Sequence, residues 1–369
     1  MHWRTVICNH PGARLPLVTT GLFLRFFGAV ACTVALALPA HAAGSASLED
    51  SFDSAFTAKN AAMAPPRAAN PNVIPLIAMA QPRSAYASPF EANLAALADG
   101  TQGRIGVAAL DLATGRVVAV LGNQPFPMAS TSKIAIVATY LAMVDAGTRR
   151  LDQSLALRVP VPSKKFDGSE APVRAGASLM AIDLIEATIT RSDNQATDAL
   201  LAAVGGPAAV TRWVQQATGI TEFRLDRTIA TLVRDDGAFD PATMIDARDS
   251  VTPVAMVRLL SGLYEGRWLS PQSRDLLIGS MSRTVTGKRR IRAGLPEDAQ
   301  VAHKTGTLSN TSSDVGFVRG PDGRDFALAI YVTGQGGKAG RDARIAAIAR
   351  AIYEGYQSDS PRQNRAALR

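Results

Sequence analysis

Three short strings carry the residue types needed for acyl transfer at an amide: Ser130-Thr131-Ser132-Lys133, Ser192-Asp193-Asn194 and Lys304-Thr305-Gly306. A serine hydroxyl is a weak nucleophile until a base removes its proton. Lys133 follows Ser130 by three residues, which in a helical turn puts both side chains on one face. A lysine held near other cations in a dry cleft loses enough basicity to serve as that base. Pro127-Met128-Ala129-Ser130 runs into apolar residues at helical spacing (Ile134, Val137, Ala138, Leu141). Ser130 is therefore expected at a helix N-terminus, where free N–H groups favour developing negative charge.

The other two strings complete the chemistry. Ser192-Asp193-Asn194 follows the helical pattern Ala181–Thr190 and is expected in an interhelical loop facing a cleft. There Ser192 relays a proton to the leaving nitrogen, Asn194 binds a substrate amide and Asp193 braces the loop. Lys304-Thr305-Gly306 reads as strand. Lys304 sets a cation beside Ser192 and a substrate carboxylate, Thr305 adds a hydroxyl, and Gly306 lets substrate backbone approach closely. The N–H of Thr307 pairs with that of Ser130 as an oxyanion hole. Each string alone reads equally well as a cap, a turn or a strand end. Their order and settings together argue for catalysis.

Strands and helices must position these strings. Strands are expected at Arg104–Leu110 and Arg116–Leu121, joined by Asp111-Leu112-Ala113-Thr114-Gly115, after a short helix from Phe90 to Leu97. Residues 131–278 read as mostly helical, with Gly205-Gly206-Pro207 ending one helix and starting the next. Strands return at Ala302–Thr307, Asp314–Val318 and Phe326–Val332, before a last amphipathic helix over Asp342–Tyr356. This order predicts an α+β fold: one five-stranded antiparallel sheet built from both ends, with a helical lobe inserted between. The active site is expected in the cleft between sheet and lobe.

The flanks differ from this domain, which is expected over residues 89–357. Residues 1–42 hold Arg4, Arg14 and Arg25 but no acid, an apolar run Phe26–Leu38, and Ala40-His41-Ala42. That pattern predicts a secretory signal peptide cleaved after Ala42, a periplasmic or secreted product, and no stable membrane insertion afterwards. Residues 43–88 read as a disordered Ala/Pro/Ser-rich linker, and 358–369 as a polar tail. Both cysteines, Cys8 and Cys32, fall in the leader, so the mature chain has no thiol chemistry.

The whole chain has 369 residues, 47% of them apolar, enough for a substantial core. Losing the three leader arginines takes the formal charge from +8 to +5. The dense basic cluster Gly287-Lys288-Arg289-Arg290-Ile291-Arg292 lacks interleaved aromatics, so no nucleic-acid partner is expected. The histidines His2, His10, His41 and His303 form no cluster, so no metal or other cofactor is expected.

Six collinear segments then identify a resemblance. Pro127–Lys133, Ser192–Asn194, Gly205–Pro207, Arg224-Leu225-Asp226-Arg227, Thr252-Pro253-Val254-Ala255-Met256 and Lys304–Gly306 resemble landmarks of the class A β-lactamases and related penicillin-recognising serine enzymes. The resemblance covers the chain from about residue 90. It implies a monomeric hydrolase with Ser130 as nucleophile, Lys133 as its base and Ser192 as proton relay. Asn194 positions substrate, and Lys304 and Thr305 clamp its carboxylate.

The sequence departs from the family at one point. Two residues past the second Arg of the Arg-Leu-Asp-Arg string, the class A enzymes carry the glutamate that activates the deacylating water. This chain has Ile229 there, and Val233 four residues on. Counting back instead from Asp249, which resembles the loop-closing acid, puts Asp236 and Asp240 near those positions. The family also supplies an arginine near the substrate carboxylate. The strand position looks like Ser313, which leaves Arg290 or Arg292 of the preceding loop. These departures leave three activities open: β-lactam hydrolysis with slow deacylation, D-alanyl-D-alanine carboxypeptidase action on peptides, and non-hydrolytic sensing of penicillin or muropeptides.

Overall fold

The structure, a computed structural model, describes residues 70–75 and 88–358. The leader with Cys8 and Cys32, the linker residues 43–69 and 76–87, and the tail from 359 lie outside the described residues. In chain order the first elements are β1 (Val73–Pro75), α1 (Pro89–Leu97), β2 (Ile105–Asp111), β3 (Val117–Val120) and β4 (Phe126–Pro127). A 3₁₀ turn over Ala129–Ser132 leads into α2 (Lys133–Asp145), followed by β5 (Ser154–Pro160) and β6 (Val173–Met180). Helices α3 (Ala181–Thr190), α4 (Asn194–Val204) and α5 (Pro207–Thr218) come next. Then follow β7 (Phe223–Arg224), α6 (Ile229–Arg234), β8 (Met244–Asp246), β9 (Ser250–Val251), α7 (Pro253–Tyr264) and α8 (Pro271–Ser282). The chain closes with β10 (Gln300–Leu308), β11 (Thr311–Arg319), β12 (Asp325–Thr333) and α9 (Lys338–Ser358).

The main sheet has five antiparallel strands in the order β10-β11-β12-β2-β3. Strands from both ends of the domain meet at the β12–β2 pair, where Ile330 faces Val107. This is the α+β architecture expected from the order of elements.

Alternation along the strands explains why the sheet needs cover on both sides. Side chains point to opposite faces every second residue. On β12, Phe326, Leu328, Ile330 and Val332 pack with Phe90 and Leu94 of α1 and with Ile345, Ile348 and Ile352 of α9. Ala327, Ala329 and Tyr331 face the other way, into the core of the helical lobe with Ile134, Leu184, Leu200 and Leu259. Small residues on that second face let the lobe's helices come close to the sheet.

The lobe is not purely helical. Residues 154–160 and 173–180, expected as part of a helical stretch, pair as a two-stranded hairpin. The pair is half-buried, with Leu155 and Leu157 resting on the lobe core. Its two strands pair across the 161–172 loop, a pairing that the helical reading of the whole 131–278 stretch did not separate out. A second difference falls in the expected linker. Val73–Pro75 pairs with Met244–Asp246 as a small antiparallel ladder. Arg224 Nη1 donates to Asn72 Oδ1 at 3.1 Å beside it. Those partners lie about 150 residues downstream, and composition carries no trace of them.

Among the described residues, no helix is long and apolar enough to cross a membrane.

The ring of Phe126, fully buried, sits just before the 3₁₀ turn over Ala129–Ser132. It stacks on Tyr331 with centroids 5.8 Å apart and lies 4.3 Å from the Arg104 guanidinium. Gly106 on β2 is required there, since a Cβ would enter the Phe126 ring. Phe126→Ala is expected to cost about 3–5 kcal/mol of stability, measured by denaturant unfolding. A loss below about 1 kcal/mol would show that the turn does not depend on this ring.

Candidate active site

The nucleophile segment is under local strain. Ala129 adopts φ +48, a left-handed conformation that a side chain disfavours. The 3₁₀ turn that follows has three residues per turn, so side chains at i and i+3 eclipse. That spacing puts half-buried Ser130 and Lys133, the first residue of α2, on one side of the turn, while the hydrogen bonds of the Lys133 amine go to Ser192 and Asn194. Thr131 Oγ1 donates to Met128 O at 2.7 Å and Ser132 Oγ to Ala129 O at 2.8 Å. These bonds hold the turn shut from behind. The expected α-helical N-terminus is thus a 3₁₀ turn, and the Ser130-to-Lys133 spacing suits it better.

Lys133 is fully buried. Its Nζ donates to Ser192 O at 2.6 Å, Ser192 Oγ at 3.1 Å and Asn194 Oδ1 at 2.7 Å. Two of the three strings, about 60 residues apart, therefore meet at one amine. Burial holds the Lys133 amine well below the ordinary lysine range, the nearby Lys304 cation lowers it further, and Asp193 and Asp198 pull it back up. Both causes of lowering favour the neutral amine that a general base needs.

Ser192 lies in the α3–α4 loop with φ +59, a second strained residue at the site. Asp193 caps α4, accepting from Ala196 N at 2.8 Å. This is the bracing role expected of it.

The third string lies on β10, an edge strand of the main sheet. Lys304 is fully buried and its Nζ donates to Thr305 O at 3.0 Å. Thr305 Oγ1 shares a hydrogen bond with Thr286 Oγ1 at 2.7 Å. Gly306 has a different reason from the one expected. A Cβ there would lie 2.7 Å from Met128 O and would also meet Ser313 Oγ and the Ala129 Cβ. The glycine admits the Met128–Ala129 segment against the strand.

Arg290 also differs from expectation. It is fully buried, with Nε on Asp342 Oδ1 at 2.7 Å and Nη1 on Gly306 O and Ser313 O at 2.9 and 3.0 Å. Its Nη2 donates to Thr307 Oγ1 at 2.8 Å. The guanidinium braces the β10–β11 pair through these carbonyls and the Thr307 hydroxyl. Arg292 donates instead to Pro296 O, Glu297 O and Ala299 O.

The segment from Arg227 to Asp249 forms a closed loop. Arg227 Nε pairs with Asp249, which also accepts the N–H groups of Asp226 and Arg227 at 2.8 and 3.0 Å. Ile229 opens α6 and is buried, and Val233 is half-buried on the same helix. The backbone N–H groups of Ile229 and Ala230 donate to Asp198 Oδ1 and Oδ2 at 2.7 and 2.8 Å. Asp236 is committed elsewhere, accepting Ser309 N on both oxygens at 3.0 and 2.9 Å. Asp240 accepts from Asn310 Nδ2 at 2.8 Å. Both candidate loop acids thus tie the loop to the β10–β11 turn.

Two features escaped the reading of the strings. His303 is buried beside Lys304, with Nδ1 2.8 and 3.0 Å from the Asp314 oxygens. Asp198 shares one face of α4 with Asn194, four residues earlier. That four-residue spacing was the only signal available for it.

The model of the "Beta-lactamase enzyme family" matches residues 89–356. Beta-lactamase CTX-M-6 of Salmonella typhimurium is 30% identical over 292 residues, 77% of this chain and 94% of that protein. Beta-lactamase CTX-M-8 of Citrobacter amalonaticus is 32% identical over 293 residues, with the same coverage. Among solved structures, a variant of the last common ancestor of Gram-negative bacteria class A β-lactamase is 38% identical, with a TM-score of 0.63. The match covers 74% of this chain and all of that one. A β-lactamase from Xanthomonas campestris matches at 32% identity and the same TM-score, over 72% of this chain and 96% of the other.

Burial pushes the Asp236 carboxyl up to about 6, although the Ser309 and Gly237 N–H groups pull it down. An acid raised in the folded state adds stability below its unfolded pKa and loses it as pH rises through the folded value. Asp236→Asn has no such step. From about pH 7 to about pH 5 the wild type should gain about 1 kcal/mol relative to this variant. Denaturant unfolding of both proteins at both pH values measures this, and parallel behaviour would contradict it.

Proposed function

The chain belongs to the class A β-lactamase family, and we propose that it opens β-lactam amides through an acyl-enzyme on Ser130. The observation that carries this reading is the Lys133 amine, buried and hydrogen-bonded to both Ser192 and Asn194. In the proposed reaction, neutral Lys133 takes the Ser130 proton as Oγ attacks the lactam carbonyl. The N–H groups of Ser130 and Thr307 receive the oxyanion. Ser192, beside Lys133, passes the proton to the lactam nitrogen as the C–N bond breaks. Lys304 and Thr305 hold the substrate carboxylate, and Asn194 orients the acyl side chain. Arg290 assists by fixing Thr307. The acid-free, arginine-bearing leader supports export to the periplasm.

Deacylation is proposed to be slow. Water attack on the ester needs a base, and the loop residues Ile229 and Val233 have no proton-accepting side chain. The same observation favours a second reading, D-alanyl-D-alanine carboxypeptidase action, in which the natural acyl group is a peptide.

Intact-mass analysis after benzylpenicillin, together with nitrocefin turnover, tests the main reading. The expected result is one penicilloyl adduct on Ser130 that clears slowly, and no adduct on Ser130→Ala. An unmodified wild type with no nitrocefin turnover overturns the reading. D-alanine release that outpaces β-lactam turnover would favour the peptidase.

The loop is tested separately. Ile229→Glu restores a base and should shorten the adduct's lifetime by about tenfold or more, read by the decay of the adduct mass. An unchanged lifetime would show that residue 229 does not govern deacylation.

A further inference from the structure

We propose that the outer edge of β8 is a strand-addition surface whose occupant is the chain's own residues 70–75, and that this strap slows deacylation by fastening the Arg227–Asp249 loop. The second clause rests on the acyl-transfer reading above. The first stands without it.

The contact joins two distant parts of the chain. Asn70-Pro71-Asn72-Val73 forms a tight turn, with Val73 N donating to Asn70 O at 2.9 Å and Asn72 N to Asn70 Oδ1 at 3.0 Å. A proline second in the turn, after an asparagine that bonds its own backbone two residues on, favours this conformation. The turn therefore presents Val73-Ile74-Pro75 as an extended segment. It pairs antiparallel with β8, Val73 opposite Asp246, Ile74 opposite Ile245 and Pro75 opposite Met244. Among the described residues β8 has no other strand beside it in its sheet. Without this segment the backbone of β8 would be an open edge, which an extended peptide fills.

The strap grips both ends of the loop. Asn72 O accepts Ala247 N at 2.9 Å, just past β8. Asn72 Oδ1 accepts Arg224 Nη1 at 3.1 Å, and Arg224 Nε donates to Asp226 Oδ1 at 2.9 Å, just before the loop. Asp246, opposite Val73, lies 3.6 Å from Arg227 Nη2 and accepts from Arg248 Nη2 at 2.7 Å. One asparagine thus ties the β7 end of the loop to the β8 end. Between those ends the loop bridges α4, which carries Asn194, and the β10–β11 turn, which follows Thr307. A loop fixed across the two sides of a cleft keeps water from an ester within it. Loosening the loop admits water.

The grip is weak enough to be released. The ladder is three residues long and Ile74 is 42% exposed. Pro75 ends it, having no N–H to donate. Short, exposed contacts open at low free energy. Tethering to α1 keeps the edge occupied nonetheless, because closing is intramolecular. The segment precedes residues 89–356, the family domain, so it acts without altering the catalytic strings.

The test uses the full chain with Cys8 and Cys32 replaced by serine. Asn70→Ala with Asn72→Ala removes the side-chain bonds of the turn and the tie to Arg224. Hydrogen exchange at the Ala247 amide should then quicken about tenfold, with β11 unchanged. The penicilloyl adduct on Ser130 should clear several-fold faster. Adding Ile74→Cys and Ile245→Cys allows a disulfide across the ladder. Oxidation should restore slow exchange and a long-lived adduct, and reduction should reverse both in the same folded protein. Unchanged exchange at Ala247 overturns the surface assignment. Faster exchange with an unchanged adduct lifetime, or a disulfide that restores exchange but not lifetime, overturns the effect on deacylation. A disulfide that links two chains assigns β8 to a second copy and overturns the intramolecular occupant. A starting protein that forms no adduct removes the acyl-transfer reading, and exchange at Ala247 then decides the strap alone.

Discussion

An amine at the end of Lys133, buried and ringed by three oxygen acceptors, sets the terms for the rest of the site. A charged lysine is costly to keep in such a place. The protein meets that cost partly with hydrogen bonds that the amine donates to Ser192 and Asn194. The rest is met by letting the amine lose its proton readily, which the neighbouring Lys304 promotes. Burial, which would be a liability for a purely structural lysine, here lowers the amine's proton affinity, as the proposed general-base role requires. The same burial explains the lobe: α2, α4 and the α3–α4 loop must pack closely enough to exclude water from one nitrogen.

Strain is placed where this arrangement needs it. Ala129 and Ser192, both with positive φ, flank the converging groups. Such conformations persist only when surrounding contacts determine them. Around Ala129 those contacts are the Met128 and Ala129 carbonyls held by Thr131 and Ser132, the Phe126 ring, and Gly306 pressed against the segment. Arg290 then locks Gly306 and Thr307 from behind through Asp342 of α9. The C-terminal helix is therefore connected to the cleft through one buried guanidinium, which joins the stability of the sheet to the shape of the site.

The loop from Arg227 to Asp249 follows a similar logic with acids in place of cations. Asp249 closes its ends, Asp198 holds its helix from the lobe side, and Asp236 holds it from the sheet side. Each of these carboxylates is buried and pushed up by desolvation. Each is compensated by backbone N–H groups rather than left bare. Loop acids that looked available for chemistry are instead used to hold the loop in place. Ile229, at the start of the loop's helix, presents a buried aliphatic side chain.

The residues of the three strings, the order of strands around a helical middle, and the helix stop at Gly205-Gly206-Pro207 were legible from the chain, because each rests on local pattern and spacing. The five-stranded sheet followed from element order, since strand-like runs bounded by turn residues stood at both ends of the domain with helices between. What local pattern could not carry was pairing across long distances. The Val73–Pro75 ladder and the Asp198 tie to Ile229 both depend on partners further along the chain. Nor could spacing say that a Cβ at Gly306 would meet the nearby Met128 carbonyl, or that Arg290 is buried against Asp342 and the Gly306 and Ser313 carbonyls. Those facts are decided by which atoms crowd a given volume. The amino-acid sequence alone thus determined which groups are present to do chemistry. Only the tertiary structure decided which of them are freed for it, because burial and hydrogen-bond commitment belong to the packed state, not to the chain.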